Sequence, residues 1–139
     1  MKRLPSSENV PVVRTHFADD RGWQSICDAI RRPSDEGFLA NVDFVSDPEL
    51  SDVAIERVLA RLPEDYDHSF LIIADRTTFS SSEHPLLVID LQDTPGRTFR
   101  ALPTVIHSVE NNLSLANMDF EDFVVSVGDD GIFRGFPRR

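Results

Sequence analysis

The sequence predicts an α+β domain in which a mixed sheet carries helices mainly on one face. Up to about residue 63, the apolar residues follow strand and helix spacing in the order β-α-β-α. Beyond that point, apolar runs follow one another through short, turn-rich links, the pattern of an antiparallel β-meander. The length of 139 residues, of which 40% are hydrophobic and 27% charged, is typical of one globular domain. We therefore expect residues 1–139 to form a single domain, with loose ends over residues 1–9 and 134–139.

The first strand and the first helix are marked by their boundary residues. A strand opens at Val10 and continues to about Phe17. Asp19 or Asp20 then offers an N-cap, and Pro33 stops the helix that follows. One apolar stripe runs along this helix, formed by Trp23, Ile26, Cys27 and Ile30. On that stripe Cys27 is expected to be a buried structural thiol.

The next elements continue the alternation and then change character. A second strand is predicted over residues 38–45, and a second helix over residues 50–62, which Pro63 ends. The continuous apolar runs at residues 70–73 and 86–89 are expected to be central strands covered on both faces.

Short connections join the strands of the meander. Residues 77–83 are predicted to form a polar loop, and residues 92–96 a tight turn into a third strand over residues 97–102. Because these links are too short for crossover helices, the strands on either side should be antiparallel neighbours.

Two helices are predicted in the C-terminal part. Pro103 suits the first position of a helix, and an apolar face follows at Val105, Val109, Leu113 and Ala116. Asp119 is placed as the N-cap of a last helix, with Asp122 completing an imperfect capping box. A turn over residues 128–131 then leads into Ile132 and Phe133.

The charge balance restricts the classes of partner. The formal net charge is −10, with 24 acidic and 14 basic residues, which disfavours nucleic acid and anionic membrane surfaces as partners. Such a surface either keeps the protein soluble or steers it toward a basic protein or a cation. A single cysteine cannot form an internal disulfide, and neither a long apolar run nor a leader-like segment is present, so we expect a cytoplasmic protein.

Acidic residues at strand ends are the first candidates for chemistry. Asp75 and Asp90 each follow an apolar run, and gathered carboxylates could hold a divalent cation such as Mg²⁺. In a meander, however, these two aspartates fall at opposite edges of the sheet, so we expect strand-end and turn roles for them. His84 could contribute to a hydrolytic site, but no metal-ligand spacing or phosphate-binding glycine motif accompanies it. No cofactor is therefore predicted.

The segment around residues 111–119 is unusual because asparagines lie between apolar residues. Asn111, Asn112 and Asn117, together with Asp119, are the candidate binding residues. One interpretation is structural: their amides bond backbone groups in the bend between two helices. The other is a polar ligand-binding surface made from the same side chains.

Four stretches together carry a resemblance to a known family. They are residues 75–78 (Asp-Arg-Thr-Thr), 84–88 (His-Pro-Leu-Leu-Val), 95–100 (Pro-Gly-Arg-Thr-Phe-Arg) and 108–123. With these motifs the chain resembles a family of small uncharacterised bacterial proteins, mostly actinobacterial, defined as a domain of unknown function. The resemblance runs from about residue 12 to residue 136, and it implies no activity, ligand or catalytic residue.

Two functional hypotheses follow. The first is a non-enzymatic protein-binding module, regulatory or inhibitory, whose acidic surface meets a basic protein partner; a toxin-neutralising protein is one version. The alternative is a metal-dependent or hydrolytic enzyme that uses strand-end carboxylates. The sequence indicates no oligomeric state.

Overall fold

The computed structural model describes residues 3–137, which form one mixed sheet with helices on both faces. The strands are β1 Val10–Arg14, β2 Val42–Val45, β3 Phe70–Ala74, β4 Leu86–Asp90, β5 Thr98–Ala101 and β6 Ile132–Phe133. The helices are α1 Asp20–Arg31, α2 Ile55–Ala60, α3 Arg76–Ser80, α4 Ile106–Ser114 and α5 Phe120–Val124. Short 3-10 helices cover Pro48–Leu50 and Pro103–Val105. Residues 1, 2, 138 and 139, which belong to the ends expected to be loose, lie outside the described residues.

The sheet has the strand order β2-β1-β3-β4-β5-β6. β1 is parallel to both β2 and β3, as helical crossovers require. β3, β4 and β5 form the predicted antiparallel meander, with Ile72 opposite Val88 and Val88 opposite Phe99. β6 returns to add a parallel strand beside β5. The α+β prediction, with its β-α-β-α start and meander, is confirmed.

The sheet has a hydrophobic core on each face, and different helices cover the two cores. The larger core includes Ile26 of α1, Val109 of α4 and Phe123 of α5, so three helices cover one face of the sheet. The smaller core includes Val58 of α2 and Leu50, which cover the other face. Helices therefore lie mainly on one face, as predicted, and both faces of β3 and β4 are buried.

The start of α1 follows the local rules of its sequence. The Asp19 carboxylate accepts a hydrogen bond from Gly22 N at 2.8 Å and caps the helix. Ile26, Cys27 and Ile30 are buried, whereas Trp23 is half-buried with its edge against the larger core. Burial raises the pKa of Cys27 to about 11, as expected of a structural thiol.

Several predicted boundaries were wrong. The first strand ends at Arg14 rather than Phe17. The second covers only Val42–Val45: a turn closes residues 34–38, with Ser34 N donating to Phe38 O, and the backbone of Leu39 and Asn41 bonds side chains of α4 rather than a neighbouring strand. The second helix is shorter than residues 50–62, since Asp52 adopts a left-handed backbone (φ 59°) between the 3-10 turn and α2.

Two further predictions need correction. The polar loop over residues 77–83 contains α3, which Asp75 starts through a capping box with Thr78. In α4 the buried positions are Ile106, Val109 and Glu110. Ala116 lies beyond the end of that helix, exposed and with a left-handed backbone, so it does not share the predicted face.

Candidate functional site

The side chains of the first two asparagines bond groups of their own chain. Asn111 Nδ2 donates to Leu39 O and to Glu110 Oε1, each at 3.0 Å. Asn112 Nδ2 donates to Ser108 O, one helical turn earlier, at 2.8 Å. Both amides therefore contribute to the structure around α4, whatever else they do.

The bend between α4 and α5 depends on one carbonyl group. Asn112 O accepts hydrogen bonds from Asn117 N at 2.9 Å and from Met118 N at 3.3 Å. The Asn117 side chain is exposed, and it makes no hydrogen bond with any of residues 3–137. Asp119 is the N-cap of α5, and its N–H donates to Asp122 Oδ2 at 2.8 Å in the predicted capping box.

A buried carboxylate that the sequence analysis did not single out connects α4 to β2. Glu110 is almost fully buried, and its Oε1 accepts a hydrogen bond from Asn41 N at 2.6 Å. The residues leading into β2 are thereby attached to α4. The sequence did contain a sign that Glu110 is buried, because Glu110 follows Ile106 by four residues and so lies on the apolar face of the helix.

The loop after α1, helix α4 and the C-terminal segment enclose a groove of about 990 Å³, which we call the α4 groove. Three large apolar side chains line it while remaining exposed: Phe38 at 54%, Leu115 at 71% and Phe136 at 41%. Among residues 3–137, only Leu39 and Val125 are comparably exposed large apolar residues. The α4 groove is also lined by Asn111, Asn112 and Asn117. Three of the four candidate binding residues thus lie together.

The fourth candidate, Asp119, lies elsewhere. It borders a small cavity of about 40 Å³ at the edge of the sheet, together with Asp90 and Asp93. The asparagine-rich segment therefore contributes to two separate surfaces.

The charges that line the α4 groove are mixed. The charged residues that line it are Arg32, Arg134, Asp35 and Glu36. Arg134 is in turn paired with Glu83, at 2.9 Å, and with Asp130, at 2.7 Å. The positive charge of Arg134 is thereby neutralised within the chain.

Asp75 has a structural role at the carboxyl end of β3. Arg100 of β5 holds both of its carboxylate oxygens, and Thr78 N donates to Oδ1 at 3.2 Å. Burial alone would raise the pKa of Asp75, but the hydrogen bonds and charge of Arg100 and the bonds of Thr78 outweigh it and lower the pKa. The Asp75 carboxylate thereby joins β5 to the start of α3.

Asp90 lies at the opposite end of the sheet, as the meander predicts, because it pairs with Phe70 at the start of β3. Its buried carboxylate accepts hydrogen bonds from the backbone N–H of Gln92, Asp93 and Thr94, at 3.0, 3.3 and 2.7 Å. This is the turn-forming role that such residues commonly have. His84, near the other end of β4, adopts a left-handed backbone (φ 53°). Asp90 is therefore not brought together with Asp75, whereas His84 precedes Pro85, whose carbonyl oxygen shares the donors Arg100 Nη1 and Thr78 Oγ1 with Asp75.

A buried arginine marks the carboxyl end of β1. Arg14 donates from Nη2 to Asp20 Oδ1 at 2.8 Å and from Nε to His16 O at 2.9 Å. Its guanidinium lies 4.4 Å from the ring centroid of Phe17 and 5.5 Å from that of Trp23, within cation–π distance. This cluster connects β1 to the start of α1.

The described residues 3–137 contain no group of three or more histidine, cysteine, aspartate and glutamate side chains arranged to hold a metal ion. Across the same residues, each helix is too short or too polar to cross a membrane.

The sequence model of a protein family described as "Domain of unknown function (DUF6924)" matches residues 9–136. The chain belongs to this family. None of the curated proteins matches it. The resemblance carried by residues 75–78, 84–88, 95–100 and 108–123 is thereby confirmed at the level of a family of uncharacterised proteins. All of the α4 groove except Pro137 falls within the matched residues.

The apolar residues of the α4 groove were missed by the sequence analysis. Phe38 was assigned to a strand, and Phe136 to a loose end. A signal was present for Leu115, which lies two residues after Leu113 and therefore on a different side of the helical path. Local periodicity cannot show that Leu115 lies near Phe38, which is more than 70 positions away in the sequence.

Proposed function

We propose that this protein is a non-enzymatic protein-binding module whose α4 groove receives a positively charged segment of another protein. The observation that carries the proposal is the convergence of Phe38, Leu115 and Phe136, all exposed, on that one groove. Regulation or inhibition of the partner is the role we attach to this binding.

The apolar side chains supply the energetic argument. Isolated exposed apolar residues are ordinary, but grouped ones mark interaction sites, and aromatic residues are enriched in the centres of interfaces. Two of the three groove residues are phenylalanines. Val125, exposed at 69%, does not line the α4 groove and serves as an ordinary surface residue for comparison.

The amides support a backbone-recognising surface. Asn111 and Asn112 have partners within the chain, whereas the Asn117 side chain keeps its donors and acceptor for a ligand. An asparagine amide can bond both a peptide N–H and a peptide C=O.

Charge supports a basic occupant. Arg134, one of the two arginines that line the α4 groove, is neutralised by Glu83 and Asp130, and the chain has a formal net charge of −10. Lysine or arginine side chains on the partner would therefore approach faster and bind in preference to acidic segments, most strongly at low salt.

The test is capture of partners from the native host at low and moderate salt, with three baits: the parent, Leu115→Ser and Val125→Ser. Both substitutions replace one exposed aliphatic side chain, so folding should be equally preserved and can be checked by thermal melting. We expect a basic partner that is captured by the parent and by Val125→Ser, but weakly by Leu115→Ser. The purified partner should then bind the parent directly, with an affinity that falls as salt increases.

Equal capture by Leu115→Ser and the parent would contradict the proposed site. Recovery of no partner at either salt concentration by a folded bait would contradict the proposed function itself.

A further inference from the structure

A second cavity lies beside the edge strand β2, next to the smaller core. Its volume is about 410 Å³, and its walls come from the N-terminal segment, the end of β2, the Pro48–Leu50 turn and the residue that follows α2. Small-molecule sites usually measure about 300–1,000 Å³, so this β2 cavity has the size of a site for a compact ligand.

Arg61 lines the β2 cavity without a partner. Its guanidinium makes no hydrogen bond or ion pair with residues 3–137, and its Nε is buried. In that part of the chain, Arg61 Nε is the one buried side-chain nitrogen or oxygen that lacks a hydrogen-bond partner. Since arginine remains charged at any ordinary pH, a guanidinium without an acceptor favours an anion, which would bind the guanidinium nitrogens other than the enclosed Nε.

Arg3, the second arginine that lines the β2 cavity, does have partners within the chain. Arg3 Nη1 donates to Leu62 O at 2.7 Å, and its Nη2 lies 3.6 Å from Glu64 Oε1. Arg3 is therefore neutralised within the chain, whereas Arg61 is not.

The other residues that line the β2 cavity indicate how apolar the ligand is and how much charge it carries. Leu4, Pro5 and Phe44 give the β2 cavity an apolar side, which suits a hydrocarbon group. Glu49 also lines it, and its charge would repel a ligand with more than one negative charge most strongly. A single carboxylate on a compact apolar body satisfies both conditions, whereas a phosphate dianion does not.

The β2 cavity lies at one end of the sheet order. β1 and β2 are parallel neighbours, and the chain leaves β1 through α1 on one face but leaves β2 through α2 on the other. Ser46 and Asp47, which follow the outer strand β2, line the cavity at the carboxyl end of that strand.

We infer that the β2 cavity binds a small organic monocarboxylate, whose carboxylate pairs with the Arg61 guanidinium and whose apolar body contacts Pro5 and Phe44. This site is separate from the α4 groove and does not depend on the function proposed for it.

The experiment uses sodium hexanoate as the probe. The ¹⁵N-labelled full chain is titrated with it at constant ionic strength, and the arginine Nε–H and backbone amide signals are followed by NMR. We expect saturable shifts at Arg61 and at the residues of the β2 cavity. 1-Hexanol, which lacks the charge, and sodium phosphate, which lacks the apolar body, should bind at least about tenfold more weakly.

Matched variants separate the guanidinium from general charge. Arg61→Gln should weaken hexanoate binding about tenfold or more, and Arg61→Lys, which keeps the charge but loses the planar fork, should give an intermediate affinity. Arg57→Gln removes the same charge from an exposed position on α2 that does not line the cavity, and should leave the affinity within about twofold.

Three outcomes would overturn the inference. These are the absence of saturable shifts up to about 50 mM hexanoate, equal affinities for Arg61→Gln and the parent, or tighter binding of phosphate than of hexanoate. Urea unfolding of each variant establishes that it is folded under the conditions of the titration.

Discussion

Arg100 holds Asp75 through two parallel hydrogen bonds, from Nη1 to Oδ1 and from Nη2 to Oδ2, both 2.9 Å long. Nη1 also donates to Pro85 O at 3.1 Å. One guanidinium thereby joins β5, the residue before β4 and the start of α3. Planar fork geometry makes this arrangement specific to arginine.

Replacing Arg100 by lysine should destabilise the protein, because an ammonium group cannot reproduce two parallel bonds to Asp75 and one to Pro85. We expect a loss of about 2 kcal/mol in the free energy of unfolding, measured with urea. Arg76→Lys is the control, since Arg76 and Asp52 form an exposed pair, and it should change stability by less than about 0.5 kcal/mol. Equal losses of unfolding free energy in the two variants would show that the Arg100–Asp75 pair contributes no more to stability than the exposed Arg76–Asp52 pair.

The pH dependence of stability should contain a contribution from Asp75. Its pKa in the folded protein lies below the ordinary value of 3.8, so ionisation of Asp75 stabilises the folded state at neutral pH. That stabilisation is fully present above the unfolded-state pKa and is lost as the pH falls through the lower, folded-state pKa. The stability difference between the parent and Asp75→Asn should therefore be constant near neutral pH and shrink in acid, as measured by urea unfolding between about pH 7 and pH 2. A difference that grows as the pH falls would contradict this assignment.

Phe123 should be the most costly aromatic residue to truncate. It is fully buried, stacks on Phe99 with 5.6 Å between ring centroids, and meets Phe133 edge-on at 5.2 Å. Phe123→Ala should lose about 3–5 kcal/mol of unfolding free energy, enough to unfold a marginal domain. Val125→Ala, on the exposed side just after α5, should stay within about 0.5 kcal/mol of the parent. Circular dichroism and thermal melting would compare the two variants. A Phe123→Ala protein that melts near the parental temperature would show that this ring is not a major contributor to stability.

The asparagine-rich segment can be tested for structural and binding roles in one series. Asp119→Ala should cost about 0.5–2 kcal/mol because α5 loses its N-cap. Asn112→Ala should cost about 1 kcal/mol because the bond to Ser108 O is lost. Asn117→Ala should leave the melting point unchanged, since its side chain makes no hydrogen bond within residues 3–137. If Asp119→Ala and Asn112→Ala also melted like the parent but lost a partner, the segment would be functional rather than structural.

The parts of the fold that were predictable depend on nearby residues. The N-cap at Asp19, the capping box at Asp119 and the turn between β4 and β5 each involve a few consecutive residues, and all three are present. The limits of β2 and α2 were not predictable from periodicity, because they depend on turns at Ser34 and Asp52.

The candidate sites depend on distant residues, and only part of them can therefore be predicted from the sequence. The unusual composition around Asn111, Asn112 and Asn117 predicts a site, and all three residues line the α4 groove. Nothing in the local sequence predicts that Phe38, in the loop between α1 and β2, lines the same groove. The sequence also cannot show that Arg61 Nε lacks a hydrogen-bond partner, because this depends on which residues lie near it in the folded chain.

The place of β1 has a consequence for synthesis of the chain. β1 is synthesised before both of its neighbours in the sheet, which are residues 42–45 on one side and residues 72–74 on the other. During translation, the apolar Val10, Val12 and Val13 must therefore wait until residue 74 has been made before both edges of β1 are paired. The meander of β3, β4 and β5, by contrast, can close from neighbouring segments as soon as they emerge. β1 thus remains incompletely paired for longer than the strands of the meander, and we expect it to be more exposed to premature association with other nascent chains.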